Sequence, residues 1–88
     1  MEVGFSSSFE IALEKRIKPN RKLEAKFWKK LEKFIQNPFE PSLKTHKLSG
    51  KLEGLWSFRV DYSVRIVFYF TEDGKAVLVD IGNHDEVY

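Results

Sequence analysis

The residues at positions 81–88 hold side chains that can transfer protons. They read Ile-Gly-Asn-His-Asp-Glu-Val-Tyr and follow a short apolar stretch. An imidazole has an unperturbed pKa of about 6.5, which suits acid-base chemistry near neutral pH. His84 is therefore a candidate catalytic residue, with the phenol of Tyr88 nearby in sequence. A lone His on a surface is more often only a solvated polar side chain, so the residues alone favour that plainer interpretation.

A second imidazole, His46, lies in a stretch that resembles a loop and carries Lys44, Lys47 and Lys51. Residues 1–51 contain twelve Lys and Arg against six Asp and Glu, whereas residues 52–88 contain three against seven. The basic half is consistent with a solvated helix face, which is the commoner explanation. It is also consistent with a surface that binds a polyanion.

Arg65 interrupts a strand that is otherwise apolar, Val-Arg-Ile-Val-Phe-Tyr-Phe at residues 64–70. A desolvated guanidinium is costly unless an anion pairs with it. We therefore expect either a carboxylate partner, Asp61 or Asp80, or a phosphate site, and the residues favour neither. Alternation along the preceding strand places Arg59 and Asp61 on the face opposite the helices.

Hydrophobic periodicity predicts two N-terminal helices after a short strand at residues 2–5. Ser7 and Glu10 match a capping box that begins a helix ending near residue 17, before Pro19. A second helix is predicted over residues 21–36, and its buried stripe consists of Leu23, Phe27, Leu31, Phe34 and Ile35.

The rest of the chain predicts a sheet. Residues 43–54 are expected to form a loop anchored by Leu43 and Leu48, followed by strands at 55–61, 64–70 and 76–81. Gly74 lies in the turn before the last strand. The order β-α-α-β-β-β predicts a single α+β domain, residues 1–88, with both helices on one face of a small twisted antiparallel sheet.

Composition excludes several classes of protein. The 88 residues include no Cys, so a disulfide, a thiolate nucleophile and a Cys-based zinc site are excluded. We expect no signal peptide and no membrane span, and hence a cytoplasmic protein. Two His residues without a surrounding ligand motif predict neither a metal nor another cofactor.

Four spaced motifs resemble the RelE/ParE toxin superfamily, most of all its RelE-like and YafQ-like messenger-RNA interferases. The motifs are residues 43–50 (Leu-Lys-Thr-His-Lys-Leu-Ser-Gly), 55–60 (Leu-Trp-Ser-Phe-Arg-Val), 64–68 (Val-Arg-Ile-Val-Phe) and 81–88. The resemblance implies two helices on a twisted sheet and a cognate antitoxin that neutralises the toxin. Operator DNA would be bound only through that antitoxin.

The same resemblance implies roles for individual residues. His84 and His46 fall at positions of catalytic His residues in the YafQ-like branch, and Tyr88 falls at a terminal aromatic position. Arg65 matches a phosphate-binding Arg of the third strand. Arg59 stands where the YafQ-like branch has His.

One position departs from the YafQ-like pattern. The catalytic Asp of that branch aligns near Ser63, and Asp61 lies two residues earlier. Asp61 is included among the predicted catalytic residues as its possible replacement, and the acid-base assignment of the site stays open.

The predicted activity is metal-independent cleavage of messenger RNA on the ribosome by attack of a 2′-OH on the adjacent phosphate. His84 and His46 would transfer protons, and Arg65 and Arg59 would hold the scissile phosphate. Tyr88 would stack on a base. Lys44, Lys47 and Lys51 would contact the flanking phosphates. Two alternatives stay open: a ParE-like poison of DNA gyrase, and an inactive relative that only binds its antitoxin.

Overall fold

The computed structural model of the protein describes residues 1–83 as two helices on one face of a five-stranded sheet. Helix α1 (Ser7–Ala12) continues as a π-helical segment, Leu13–Ile17, and helix α2 spans Arg21–Gln36. The strands are β1 (Val3–Phe5), β2 (His46–Lys47), β3 (Trp56–Arg59), β4 (Val64–Phe70) and β5 (Ala76–Asn83). Within this part of the chain, neither helix is long and apolar enough to cross a bilayer.

The predicted α+β architecture is confirmed, and the sheet differs from expectation in two details. Its strand order is β1-β5-β4-β3-β2, with β1 parallel to β5 and all other neighbours antiparallel, so the sheet is mixed. Strands β2 to β5 follow one another as antiparallel neighbours, and β5 then lies beside β1 and runs in the same direction. The second detail is β2, which lies inside the segment predicted as a loop and pairs with β3.

Helix α1 begins one residue earlier than the capping box predicts. The side chain of Ser6, not Ser7, accepts a hydrogen bond from the backbone N–H of Phe9 at 3.1 Å, so Ser6 is the N-cap. The predicted end of this helix near residue 17 is correct. The last turns are wider than α-helical, because the N–H of Lys18 donates to the carbonyl of Leu13.

Helix α2 has the predicted bounds, and the side chain of Asn20 caps its N-terminus. Its stripe buries Phe27, Leu31 and Phe34, whereas Leu23 is half-buried and Ile35 lies exposed at the margin. The ring of Phe34 stacks on Phe58 of β3 with centroids 4.5 Å apart, and it meets Phe68 of β4 edge-on at 4.8 Å. These contacts pack helix α2 against strands β3 and β4.

The strands β3 and β5 have different ends from those predicted. Strand β3 ends at Arg59 rather than at residue 61, because the carboxylate of Asp61 accepts hydrogen bonds from the N–H groups of Ser63 and Val64 and closes the turn to β4. Strand β5 continues to Asn83 and stays paired with the start of β4. Its preceding turn contains Gly74 with φ +81°, as expected for a glycine position.

Candidate functional site

Two arginines lie directly opposite each other on the sheet face that points away from the helices. Arg59 of β3 is the register partner of Arg65 of β4, and Arg65 is in turn opposite Gly82 of β5. The neighbouring register positions, Phe58 and Ile66, point into the core beneath the helices. Like charges opposite each other on a sheet repel, and two guanidinium groups on one face can together bind an anion such as a phosphate.

Arg65 is only 6% exposed, and its guanidinium is oriented by backbone carbonyls. Its Nη1 donates to the carbonyl oxygens of Asp61 at 2.7 Å and Tyr62 at 2.9 Å. The contact between Arg65 and Asp61 therefore involves the Asp61 carbonyl. Asp80, the other carboxylate considered as a partner, accepts a hydrogen bond from the N–H of Ile81.

The carboxylate of Asp61 organises the β3–β4 turn. Burial alone raises its pKa, but the hydrogen bonds from the Val64 and Ser63 backbones and the charge of Lys26, 3.8 Å away, outweigh burial and hold the pKa below its ordinary value. Asp61 is thus ionised at neutral pH and holds the two carbonyls that orient Arg65. Its predicted catalytic role stays a prediction, and these contacts suit positioning better than proton donation.

His46 lies on the same face as the two arginines. It belongs to β2 and is opposite Ser57, two residues before Arg59 on β3. Its Nδ1 is 2.8 Å from the carbonyl oxygen of Lys44, a residue in the left-handed conformation with φ +50°. A carbonyl only accepts hydrogen bonds, so Nδ1 carries the hydrogen and Nε2 of the neutral imidazole carries the lone pair.

The predicted lysines are exposed on the segment around β2. Lys44 precedes His46, Lys47 places its Nζ 5.5 Å from the centroid of the Trp56 ring, and Lys51 lies in a 3₁₀ turn, Gly50–Leu52. A cleft of about 520 Å³ is lined by residues 47–50 and 53–56. The segment thus carries separated positive charges beside His46.

Tyr62 is a candidate that the sequence did not single out. It is 79% exposed at the β3–β4 turn, and the Arg59 guanidinium carbon lies 5.7 Å from its ring centroid. The only signal in the sequence is an aromatic residue between two strands, where small polar residues are usual. Its carbonyl also orients Arg65, so one turn connects the exposed ring to both arginines.

The sheet register therefore places His46, Arg59 and Arg65 on one face, with Asp61 at the adjoining turn and the three lysines along the neighbouring segment. The predicted residues His84 and Tyr88 lie outside the described residues. The last described pair of β5 joins Asn83 to Val64. Among residues 1–83, no group of three His, Asp or Glu side chains is arranged to hold a metal ion.

A family model matches almost the whole chain. The model describes the ParE toxin of the type II toxin-antitoxin system parDE, and it matches residues 6–88. No curated protein sequence is significantly similar to the chain.

Solved structures share the fold at low sequence identity. A YoeB/ParE toxin from Agrobacterium tumefaciens has a TM-score of 0.77 and 19% identity, and the match covers 96% of this chain and 99% of that one. YafQ from E. coli strain BL21(DE3) has a TM-score of 0.78 and 16% identity, with coverage of 99% and 97%. A heterotetrameric YoeB-YefM toxin-antitoxin complex from Staphylococcus aureus has a TM-score of 0.67 and 22% identity, and the match covers 96% of this chain and 97% of that one.

Proposed function

The chain belongs to the ParE toxin family of type II toxin-antitoxin systems, and we propose that it is a metal-independent endoribonuclease that cleaves messenger RNA on the ribosome. The fold is shared with YafQ and with toxins named YoeB. The observation that carries the nuclease proposal is the pairing of Arg59 with Arg65 on one sheet face, with His46 on the next strand.

The two arginines would bind the scissile phosphate. Cleavage by a neighbouring 2′-OH adds negative charge to the phosphorus centre, and preorganised cations stabilise that charge as it develops. Arg65 is suited to this task because the Asp61 and Tyr62 carbonyls fix its guanidinium before substrate arrives. Arg59 lies opposite it and supplies a second cation.

Two imidazoles would transfer the protons. A base removes the proton from the 2′-OH, the O2′–P bond forms, the P–O5′ bond breaks, and an acid protonates the leaving 5′ oxygen. The products are a 2′,3′-cyclic phosphate and a 5′-OH. We assign these two roles to His46 and His84, in an order that the proposal leaves open. Nε2 of His46 is the ring atom that would exchange the proton, because Nδ1 donates a hydrogen bond to the Lys44 carbonyl.

The remaining predicted residues would bind the RNA around the cleavage point. Lys44, Lys47 and Lys51 would contact flanking phosphates or ribosomal RNA. Tyr88 would stack on a base, which is a common way to hold an unpaired nucleotide.

We also propose that a cognate antitoxin neutralises the protein. The family is defined by type II toxin-antitoxin systems, and a YoeB-YefM complex of the same fold is a heterotetramer of toxin and antitoxin. Any operator DNA would be bound through the antitoxin.

A second candidate activity is poisoning of DNA gyrase, because the matching family model is that of ParE. That activity requires no pair of imidazoles and no phosphate cleavage. It therefore predicts that replacement of His46 leaves toxicity unchanged.

A cell-free translation extract with one defined messenger RNA separates the two activities. The nuclease proposal predicts cuts within translated codons, which disappear when initiation is blocked and are lost in His46→Ala and Arg65→Ala variants. Lys75→Gln, in the turn at the opposite end of β4 from Arg65, serves as the control and should cleave normally. Intact messenger RNA, together with inhibited supercoiling by purified gyrase, would favour the second candidate.

A further inference from the structure

Five lysines of helix α2 lie on one side of the helix. At about 100° per residue, Lys22, Lys26, Lys29, Lys30 and Lys33 fall within an arc of roughly 100°. The two acids of the same helix, Glu24 and Glu32, fall outside that arc, and Glu24 accepts a hydrogen bond from the indole N–H of Trp28. The charges that alternate in the sequence are thus separated in the folded helix. We call this arc the lysine face.

The lysine face lies within electrostatic reach of the candidate site. Burial lowers the pKa of Lys30, the charges of Lys33, Arg59 and Lys29 lower it further, and Glu40 opposes them. Lys30 is therefore near enough to Arg59 for their charges to interact, so the lysine face adjoins one member of the arginine pair.

Nearby carboxylates neutralise this face only in part. Asp61 lies 3.8 Å from Lys26, and the same carboxylate holds the β3–β4 turn. Glu40 accepts hydrogen bonds from the N–H and hydroxyl of Ser42. Two carboxylates against five lysines leave the face with an excess of positive charge.

Tyr62 stands between the lysine face and the arginine pair. Its turn contacts Lys26 through Asp61 and orients Arg65 through backbone carbonyls. The exposed ring, with Arg59 against it, offers a flat surface at the junction.

We propose that the lysine face binds the phosphodiester backbone of the same single-stranded RNA whose scissile phosphate lies at Arg59 and Arg65, and that Tyr62 stacks on a base where the strand crosses the β3–β4 turn. This inference rests on the proposed nuclease function and extends its substrate contacts beyond the sheet.

The chemistry of the surface favours a single-stranded nucleic acid over a protein or a duplex, and the proposed nuclease function makes that strand RNA. The lysines recur about once per 5.4 Å turn and span about 16 Å, a row of point charges that suits a backbone. A protein partner is usually anchored by buried apolar or aromatic groups, and the lysine arc contains none. Stacking on Tyr62 requires an unpaired base, which excludes a regular duplex.

The test is equilibrium binding of the full chain to a labelled, single-stranded 2′-O-methyl RNA of fifteen nucleotides, which lacks the nucleophile and is not cleaved. Lys22→Gln/Lys29→Gln/Lys33→Gln is compared with Lys15→Gln/Lys18→Gln/Lys75→Gln. Both triple variants lose three positive charges, but only the first changes the lysine face. Thermal unfolding confirms that each variant is folded.

We expect the lysine-face variant to bind on the order of tenfold more weakly and to lower the slope of log affinity against log salt by about two, at about 0.7 per lost phosphate contact. The control triple variant should keep the wild-type slope. Tyr62→Ala should weaken binding about fivefold or more, and Tyr62→Phe should restore it.

Equal weakening in both triple variants would attribute binding to net charge and overturn the proposal, as would equal affinity for a DNA duplex of the same length. Normal messenger-RNA cleavage by a lysine-face variant with unchanged binding would overturn this inference alone. Selective RNA binding without cleavage by the wild-type chain would support this surface and reject the nuclease activity.

Discussion

Arg65 is the residue on which the proposed chemistry depends most. A guanidinium that is almost fully buried in a strand is costly, and here two carbonyls at the β3–β4 turn offset part of that cost. Its opposite neighbour is a second arginine rather than an acid. Two guanidinium groups on one face can bind a phosphate together, which is why the proposed chemistry depends on this position.

Replacing Arg65 should therefore abolish cleavage. We expect Arg65→Ala and Arg65→Lys each to lower the rate of messenger-RNA cleavage by roughly 10²–10³-fold, because an ammonium cannot reproduce the fork that the two carbonyls orient. The measurement is a time course of cleavage in a translation extract, with Lys75→Gln as the control. A folded Arg65→Ala variant that cleaves at the wild-type rate would refute the assignment.

Asp61 gives a pH-dependent prediction. Its folded pKa lies below the ordinary value of 3.8, so its contribution to stability is fully present above that ordinary value and is lost as the pH falls through the lowered one. Asp61→Ala should reduce the free energy of unfolding by roughly 1–2 kcal/mol at pH 7 through loss of the turn hydrogen bonds. Urea denaturation at pH 7 and pH 3 measures the difference.

The difference between wild type and Asp61→Ala should shrink at pH 3. Glu72→Ala, at an exposed position in the β4–β5 turn, is the control and should change stability little at either pH. A constant difference at both pH values would show that the charge of Asp61 contributes nothing to the turn.

At the scale of elements, the start of helix α1 distinguishes two adjacent serines. Ser6→Ala should destabilise the protein by about 1 kcal/mol, because the Ser6 hydroxyl caps the N–H of Phe9. Ser7→Ala, the position that the sequence pattern favours, should be nearly neutral. Thermal or urea unfolding of the two variants decides between them, and a larger loss for Ser7→Ala would contradict the observed cap.

The elements that the sequence predicts well are those with strong periodicity. Helix α2 and strand β4 have the predicted bounds, since an apolar stripe and an apolar run are properties of consecutive residues. Strand β2 was not predicted, because two residues are too few to show a strand pattern. His46 and Lys47 form a strand only by pairing with β3. The parallel pairing of β1 with β5 is equally non-local.

The candidate site, like the fold, could be predicted from the sequence only in part. The residue types of His46, Arg59 and Arg65 suggested their chemistry, and strand alternation suggested that Arg59 lies on the face opposite the helices, whereas the pairing of Arg59 with Arg65 required the structure. The role of Asp61 in the turn and the exposure of Tyr62 depend on backbone geometry between strands. That geometry is set by tertiary contacts, so residue spacing alone could not supply it.

At the scale of the whole molecule, charge is distributed unevenly along the chain. The first 51 residues carry an excess of positive charge and the remainder an excess of negative charge. We expect the basic half to attract nucleic acid or an acidic antitoxin. Expression of the chain should arrest bacterial growth, and co-expression of a small acidic protein encoded beside its gene should restore growth and copurify with it.

Rescue of growth without copurification would contradict direct neutralisation. A catalytically impaired variant such as His46→Ala is the matched bait, because it should still bind the antitoxin without arresting the host. If neither the wild-type chain nor the His46→Ala variant forms a complex with the acidic protein, that protein is not the antitoxin.

The most direct test of the nuclease claim is primer extension on an abundant messenger RNA after induced expression in a bacterium without the antitoxin. We predict cuts inside translated codons that vanish in the His84→Ala variant when it accumulates to the wild-type level. Growth arrest with uncut messenger RNA and induction of the DNA-damage response would contradict the account and favour gyrase as the target.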